Sequence, residues 1–156
     1  MSNMADEQPT AARRILVADP VAQAGIERLK EAGEVDVITG QSEDQLVACI
    51  GDYDAMVVRS ETKVTVRIFE AAKKLKVVAR AGVGVDNIDV PAATRAGVVV
   101  VNSPEGNTIA AAEHSVAMLM ALSRKIPAAA ASLAQGEWKR SKFVGVEVYN
   151  KTLGVV

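Results

Sequence analysis

The sequence predicts an α/β fold built on an open, doubly wound parallel sheet. Short runs rich in Val and Ile alternate with segments of helical periodicity along residues 14–102, a pattern typical of right-handed β-α-β crossovers. The runs are continuously apolar and do not alternate with polar residues, as expected of parallel strands covered by helices on both faces. Several of the helical segments also begin and end at typical capping residues.

Five strands and four helices follow from this pattern, in the arrangement of a flavodoxin-like layer. Ser42 and Asp89 are predicted N-caps, because their side-chain oxygens can accept hydrogen bonds from backbone N–H groups. Gly33 and Gly97 are predicted to end two of the helices. In chain order the predicted elements are strand 14–20, helix 21–33, strand 34–38, helix 42–51, strand 54–60, helix 65–75, strand 76–82, helix 89–97 and strand 98–102.

The pattern changes to longer helices beyond the fifth strand. The first of them is apolar on every side, so we expect it to be buried against a second domain or a second subunit. The predicted elements here are helix 103–125, capped by Ser103 or Asn107, helix 127–138, a basic loop over 139–143 and a buried strand over 151–156.

These changes divide the chain into three predicted parts. Residues 1–12 have no apolar run and are predicted to be a disordered lead. Residues 13–102 form the flavodoxin-like domain. Residues 103–156 are expected to begin a second domain, which this chain leaves incomplete.

Composition narrows the possible partners. The 18 Lys and Arg residues nearly balance 19 Asp and Glu residues, whereas a nucleic-acid binder needs a basic face. The chain has no run of about 18 apolar residues, so no membrane span is predicted.

The single cysteine, Cys49, cannot form an intrachain disulfide, which favours a reducing cytoplasm. We interpret Cys49 as a small core residue of its helix.

Two loops at the carboxyl ends of the predicted strands can bind a ligand, since ligands of doubly wound sheets bind at that edge. The first is "RSETK", residues 59–63, in which Arg59 has a fork suited to carboxylate or phosphate, and Ser60 and Lys63 add a hydroxyl and a charge. A plain solvated loop is the alternative interpretation of the same residues.

The second loop is "RAGVGVDN", residues 80–87, which is similar to the dinucleotide fingerprint GxGxxG. Asn87 occupies the position of the third glycine, so we reject a pyrophosphate loop here. Gly82 and Gly84 still allow backbone N–H groups to approach an anion. An anion nest and a simple turn both remain open.

Other polar residues give weaker signals. The only histidine, His114, lies in the middle of the apolar helix, where a packed or interface histidine is favoured over a general base. Asp86, Asp89 and Glu105 do not cluster as metal ligands, so no metal site is predicted. A phosphoacceptor receiver domain is also excluded, because it requires an Asp at the end of the third strand, where Arg59 stands.

Four segments closely resemble the D-2-hydroxyacid dehydrogenase family, and together they cover nearly the whole chain. The runs "RAGVGVDNID" and "NSPEGNT" are shared widely in that family. The runs "VRSETKVT" and "GEWKRSKF" are similar more narrowly to its members that oxidise 3-phosphoglycerate in L-serine biosynthesis. The four segments are "VVRSETKVT", "LKVVARAGVGVDNIDVPAATRAGVVVVNSPEGNT", "AAEHSVAMLMALSRKIPAAAASLAQGEWKRSKF" and "NKTLGVV".

The resemblance implies an NAD-dependent oxidoreductase with a flavodoxin-like substrate domain and a Rossmann domain that carries the dimer interface. It implies that residues 151–156 are the first Rossmann strand. The glycine-rich loop and the catalytic Arg, Glu and His would then lie beyond residue 156. The chain is therefore expected to hold no catalytic residue, to be inactive alone, and to associate as a homo-oligomer through the 103–138 helices.

The resemblance also implies roles for individual residues in binding 3-phosphoglycerate and NAD. In the substrate site it places Arg59, Ser60 and Arg80, the backbone of Ala81 and Gly82, and Arg140, which would reach the neighbouring subunit's site. Near the cofactor it places Val83, through its main chain only, and Asn107.

Two other functions remain open at this point. A chain of this length can be a non-catalytic module that binds anions or dimerises. It can also belong to a dehydrogenase for another 2-hydroxy acid, such as glyoxylate or hydroxypyruvate. The positive charges of Lys63 and Arg140 favour a phosphorylated substrate.

Overall fold

A computed structural model describes residues 13–155 and divides the chain after Gly106 into two compact units. The lead predicted over residues 1–12 lies outside the described residues, as does Val156. The first unit contains the sheet and its helices. The second unit contains the two long helices and the segment that follows them.

The first unit is the predicted doubly wound sheet. Its five strands are all parallel, in the order β2-β1-β3-β4-β5, which is the flavodoxin-like order. The fold class is therefore confirmed. The elements are β1 (Arg14–Val17), α1 (Gln23–Lys30), β2 (Glu34–Val37), α2 (Glu43–Cys49), β3 (Ala55–Val58), α3 (Val66–Ala71), β4 (Val77–Arg80), α4 (Val90–Arg95) and β5 (Val99–Asn102), with a 3₁₀ turn at Ile50–Asp52.

Alternate residues of the strands point into two separate cores. On one face, Leu16 and Met56 are fully buried beneath α2, α3 and α4. On the other face, Val17 and Val57 pack against Leu29 of α1. This burial on both faces is what the continuous apolar runs predict, because successive side chains of a strand point to opposite sides.

The predicted caps were right for two helices and wrong for a third. Ser42 forms a capping box with Gln45, and Asp89 accepts a hydrogen bond from the Ala92 amide at 2.8 Å. Gly33, in contrast, does not end α1, which ends at Lys30. A Cβ at Gly33 would lie 2.2 Å from the backbone oxygen of Arg13, so a close approach of two chain segments is what requires glycine there.

The second unit is built from α5 (Thr108–Ser123), α6 (Ile126–Ala134) and a 3₁₀ turn at Arg140–Phe143. The first helix starts later than predicted, because residues 103–106 form a turn in which the Gly106 amide donates to the Ser103 carbonyl at 3.3 Å. Pro at the second and Gly at the fourth position are typical of such a turn. The helix predicted over 127–138 ends instead at Ala134, just before Gly136 with its positive φ of 79°.

The strand predicted over 151–156 is not formed in the described residues. Lys151–Val155 belong to no strand, and the second unit contains no other strand in its described part. A strand is held by the ladder hydrogen bonds of a neighbouring strand, so this apolar run has nothing to pair with here.

The apolar helices of the second unit are not long enough to act alone as membrane spans. Within residues 13–155 no single helix passes the length and hydropathy criteria, and α5 and α6 pass only when taken together, with a bend of 65° at their break.

Candidate functional site

The loops that follow β3 and β4 lie side by side at the carboxyl edge of the sheet. Val58 and Arg80 are register partners in neighbouring strands, and the Ala81 amide donates to the Val58 carbonyl at 2.8 Å. This pairing brings Arg59 and Ser60 of the first loop next to Arg80 and Ala81 of the second. Of the predicted site residues, the first unit thus brings together Arg59, Ser60, Arg80, Ala81, Gly82 and Val83.

A buried carboxylate anchors the first loop. Asp19, directly after β1, is only 1% exposed. It accepts a hydrogen bond from the Arg59 amide at 2.6 Å, from the Thr62 amide at 3.1 Å, and from the Thr62 hydroxyl. Charge-assisted bonds to backbone amides are among the strong ones. The backbone around Arg59 and Ser60 is therefore held firmly while both side chains stay exposed.

The side chain of Asn87 joins the two loops. Its amide nitrogen donates to the carbonyls of Arg59, at 2.7 Å, and Thr62, at 2.6 Å. Its amide oxygen accepts from Nε of Arg80 at 2.9 Å. Asn87 therefore does not fill the position of the third glycine in a phosphate loop, but links two arginine-bearing segments.

The turn over 81–84 is fixed mainly by its carbonyl groups. The Gly82 carbonyl accepts from the Ser103 amide at 3.0 Å, and the Val83 carbonyl from Nδ2 of Asn102 at 2.5 Å. A Cβ at Gly82 would lie 2.7 Å from Nη1 of Arg80, so the guanidinium lies directly against this glycine. Ala81 and Val83 are exposed beside it. The Ala81 and Gly82 amides already donate to the carbonyls of Val58 and Arg80, so among the described residues 81–83 the Val83 amide is the donor that an anion can use.

This loop does not fit the phosphates of a dinucleotide. The helix that follows it, α4, has its first turn capped by the carboxylate of Asp89, and a negative group at that position repels the anion that a helix N-terminus otherwise attracts. The rejection of a pyrophosphate loop is therefore supported by the geometry.

The other two predicted site residues, Asn107 and Arg140, belong to the second unit. Asn107 is the N-cap residue of α5 but makes no side-chain capping bond. Arg140 begins the 3₁₀ turn and is exposed. It lines an open cavity of about 380 Å³ together with Arg124 and Trp138.

Glu137 organises the segment that leads to Arg140. Its carboxylate accepts hydrogen bonds from the buried Ser132 hydroxyl at 2.9 Å and from the Lys139 ammonium at 3.1 Å, and it forms an ion pair with Lys142 at 3.6 Å. The Ser132 hydrogen bond, followed by that of Lys139, lowers the pKa of Glu137 below its ordinary value. Glu137 therefore draws these two lysines to one carboxylate and leaves Arg140 outside the cluster.

Comparison with known proteins shows the family to which this chain belongs. Residues 15–150 match the family described as D-isomer specific 2-hydroxyacid dehydrogenase, catalytic domain. The chain belongs to this family. Within it, the chain is 59% identical over 143 residues to the D-3-phosphoglycerate dehydrogenase of Synechocystis, and 50% identical over 144 residues to that of Archaeoglobus fulgidus.

The matched regions cover 92% of this chain but only 26% and 27% of those two enzymes. The chain thus spans about a quarter of the length of these 2-hydroxyacid dehydrogenase relatives. Solved structures are similar over a comparable region. A Thermus thermophilus protein has a TM-score of 0.77 at 29% identity, covering 86% of this chain and 45% of its own. An NAD⁺-bound 3-phosphoglycerate dehydrogenase from Entamoeba histolytica has a TM-score of 0.65 at 32% identity, covering 74% and 40%.

Three further residues considered in the sequence analysis differ in burial. Cys49 is half-buried at the edge of the larger core, and burial raises the pKa of its thiol, so it is a packing residue as predicted. His114 is exposed on α5. Within the second unit it is therefore not packed, and its interpretation as an interface residue stays a prediction. Lys63 is exposed after the Asp19-anchored loop.

The sequence analysis did not identify Asp19 and Asn87 as parts of this candidate site. The signal for Asp19 was an acidic residue and a proline closing an apolar strand, where a carboxylate is otherwise out of place. The signal for Asn87 was its departure from the glycine pattern. Among the described residues, no group of three or more His, Cys, Asp or Glu side chains could hold a metal ion.

Proposed function

We propose that this chain is the N-terminal part of an NAD-dependent D-3-phosphoglycerate dehydrogenase, which oxidises 3-phosphoglycerate to 3-phosphohydroxypyruvate, the first step of L-serine biosynthesis. The observation that carries the proposal is the pair of arginine-bearing loops held together at the carboxyl edge of the sheet. The relatives from Synechocystis and Archaeoglobus are D-3-phosphoglycerate dehydrogenases, which supports this choice of substrate.

The residues described here bind and orient the substrate in this proposal. The guanidinium groups of Arg59 and Arg80 bind its anionic groups, and the exposed Ser60 hydroxyl adds a hydrogen bond. Exposed main-chain atoms over 81–83 approach the carboxylate. Orientation by fixed positive charges lowers the barrier because the reacting groups are already placed when the reaction begins.

NAD, when bound to the whole enzyme, accepts the hydride from C2 of the substrate. In this chain we propose that only the main chain of Val83 and the side chain of Asn107 approach it. The side chain of Asn107 makes no capping bond in α5, which is consistent with a role toward a ligand. The catalytic Arg, Glu and His belong to the segment beyond residue 156.

We further propose domain and assembly roles for the parts of the chain. Residues 13–102 are the substrate domain, and residues 103–156 begin the nucleotide domain and form a homo-oligomer contact through the 103–138 helices. The apolar side chains of this second part are extensively exposed, such as Leu122 at 78% and Trp138 at 74%, and exposed apolar patches mark interaction surfaces. Arg140, beside Trp138, then reaches the substrate site of the neighbouring subunit. A cytoplasmic location is consistent with the single thiol of Cys49.

Substrate binding tests the first part of this proposal. Isothermal titration of the 156-residue chain with 3-phosphoglycerate is expected to give saturable binding that weakens about tenfold or more in Arg59→Ala, since hydrogen bonds to charged groups contribute about 1.5–3 kcal/mol. Arg67→Ala is the matched control, because Arg67 is an exposed arginine that pairs with Glu43 and Asp44 instead. Equal binding by both variants would remove Arg59 from the site.

Two further measurements separate the alternatives. The turnover rate of the whole enzyme is measured with 3-phosphoglycerate and NAD, and then with glyoxylate or hydroxypyruvate as the alternative substrate. The comparison of these rates decides between the proposed substrate and another 2-hydroxy acid. The 156-residue chain alone is expected to show no turnover. A dimer of that chain in light scattering would support the assembly role, whereas a well-behaved monomer would count against it.

A further inference from the structure

Asn87 is the one side chain in the described site that touches both arginine-bearing segments. Its orientation follows from the chemistry of its partners. The carbonyls of Arg59 and Thr62 can only accept hydrogen bonds, and Nε of Arg80 can only donate. The NH₂ group must therefore face the two carbonyls and the amide oxygen must face Arg80. Both N–H donors of the amide and one of the two acceptor sites on its oxygen are therefore used.

We propose that Asn87 is a positioning residue that makes the two loops a single, preorganised receptor for an anionic substrate. This inference deepens the proposed function and rests on it for the identity of the anion. Asn87 does not contact the substrate. It acts through Arg80, whose guanidinium it orients, and through the backbone at Arg59, which it holds at a fixed distance from Arg80.

A competing contact makes this positioning necessary. Nη2 of Arg80 lies 3.9 Å from a carboxylate oxygen of Asp86, whose side chain is 85% exposed. The side chain of Arg80 is only 13% exposed, so its guanidinium is held by the groups that already lie beside it, Asn87 and Asp86. Without the bond from Nε to Asn87, the nearest strong partner of Arg80 is Asp86. Pairing with that carboxylate would neutralise the charge that the substrate needs.

The backbone around Asn87 supports the same role. The Val64 amide donates to the Asn87 carbonyl at 2.8 Å, and the Asp89 amide donates to the Val64 carbonyl at 2.9 Å. Val64 and Ile88 form an isolated parallel bridge and are both buried. The main chain at residue 87 is therefore fixed to the end of the first loop independently of the side chain, and removal of the side chain leaves the backbone in place.

The test is Asn87→Ala in the 156-residue chain, read by two independent measurements. Nuclear magnetic resonance of the free protein is expected to show faster solvent exchange of the Arg80 Nε–H proton. Titration with 3-phosphoglycerate is expected to show a dissociation constant about tenfold higher, since the lost bond involves a charged group. Asp86→Asn combined with Asn87→Ala is expected to recover part of this affinity, because the competing carboxylate is gone.

Two further variants separate positioning from general loss of structure. Asn87→Asp keeps an acceptor for Arg80 but has no donor for the carbonyls of Arg59 and Thr62. It is expected to keep the Arg80 Nε–H protected, while the carbonyl carbon resonances of Arg59 and Thr62, which lose their hydrogen-bond donor, shift. Tyr53→Phe removes a hydrogen bond at the opposite, amino edge of the sheet, and is expected to change neither the exchange of Arg80 nor the affinity.

The outcomes for Asn87 and for the proposed function can be told apart. Unchanged exchange of the Arg80 Nε–H proton in Asn87→Ala would overturn the positioning role, whatever the ligand. Faster exchange with unchanged affinity for 3-phosphoglycerate would also overturn it, because the receptor would not need preorganisation. If the unaltered chain binds no 3-phosphoglycerate, the proposed function fails, and the exchange data together with titration by inorganic sulfate decide whether Asn87 still prepares an anion site.

Discussion

The two units of this chain use their apolar residues in opposite ways. In the first unit, the strands bury Leu16, Met56 and Val78 completely. In the second, Ser132 alone is buried among the described residues, and large apolar side chains of α5 and α6 are exposed. The first unit therefore has its own core, whereas the second has an apolar surface without one. The difference shows that similar hydrophobicity in a sequence can specify either a core or a contact surface.

The largest expected effect compares one leucine from each unit. Leu16→Ala, in the centre of the sheet, is expected to lower the free energy of unfolding by about 2–5 kcal/mol because it leaves a cavity. At a protein concentration low enough to keep the chain monomeric, Leu122→Ala, on α5, is expected to change it by no more than about 0.5 kcal/mol. Urea denaturation measures both. A similar loss for both variants would mean that Leu122 is buried in solution, and the contrast between the units would then disappear.

The next largest expected effect on stability comes from the buried carboxylate of Asp19, which anchors the loop after β3 in the first unit. Asp19→Ala leaves the amides of Arg59 and Thr62 without their acceptor in a buried place, so we expect a loss of about 1–3 kcal/mol in the free energy of unfolding. Hydrogen exchange of these two amides should accelerate more than exchange of the core strands. Asp44→Ala is a suitable control, because Asp44 is an exposed aspartate paired with Arg67. If Asp19→Ala leaves the two amides protected, the carboxylate does not anchor the loop.

Loss of a helix N-cap is expected to have a smaller effect on stability, and this effect also differs between the two units. Ser42 caps α2 through a capping box, whereas Asn107 at the start of α5 makes no side-chain capping bond. Ser42→Ala is expected to destabilise the chain by about 1 kcal/mol, and Asn107→Ala is expected to have little effect on thermal unfolding. A clear loss of stability in Asn107→Ala would assign this residue to the helix and weaken its proposed role near the cofactor.

The smallest expected effect is the pH dependence of stability that comes from Tyr53, at the amino edge of the sheet in the first unit. Burial, followed by the hydrogen bond to Asp36, raises the pKa of Tyr53 to about 12. A raised pKa means that the folded state favours the protonated phenol. This contribution to stability is complete below pH 10 and is lost as the pH rises from 10 to about 12. Tyr53→Phe is expected to cost about 0.5 kcal/mol at pH 7.

Thermal unfolding between pH 9 and 12 tests this expectation. The unaltered chain should lose stability over the upper part of that range, and Tyr53→Phe should lose less. At acid pH the sign is opposite. The Arg14 guanidinium, followed by the Tyr53 hydroxyl, lowers the pKa of Asp36, so its contribution is present at neutral pH and is lost as the pH falls. Parallel alkaline curves for the two proteins would contradict the assignment to Tyr53.

Local pattern was sufficient for most of the first unit. The continuous apolar runs predicted the central strands, such as β1 and β3, because burial on both faces leaves a signal that needs no knowledge of the neighbours. The edge strands β2 and β5 are not buried on both faces, and for them the alternation of strands with helices along the chain was the signal. The caps at Ser42 and Asp89 were also predictable, since they act within one turn of their helix. Gly33 was misinterpreted because its reason lies in the backbone of Arg13, which is distant along the chain.

The site was predictable only in part for the same reason. Arg59 and Ser60 follow from charge and position after a strand, and Arg80 was implied by the family resemblance. Asp19, however, acts on a loop 40 to 43 residues away. The strand predicted over 151–156 has the right composition and lacks a neighbour to pair with in the described residues. Composition selects residues that can form a strand, and pairing decides whether they do.

The amino-acid sequence by itself determined the alternation of strands and helices, the parallel sheet and the two basic loops at its carboxyl edge, because each of these depends on periodicity or on residue type over a few positions. Tertiary structure alone decided that Asp19 and Asn87 hold those loops together, that Gly33 and Gly82 each meet another group closely, and that α5 presents its apolar side chains outward. These features depend on contacts between segments that only folding brings within hydrogen-bonding or van der Waals distance.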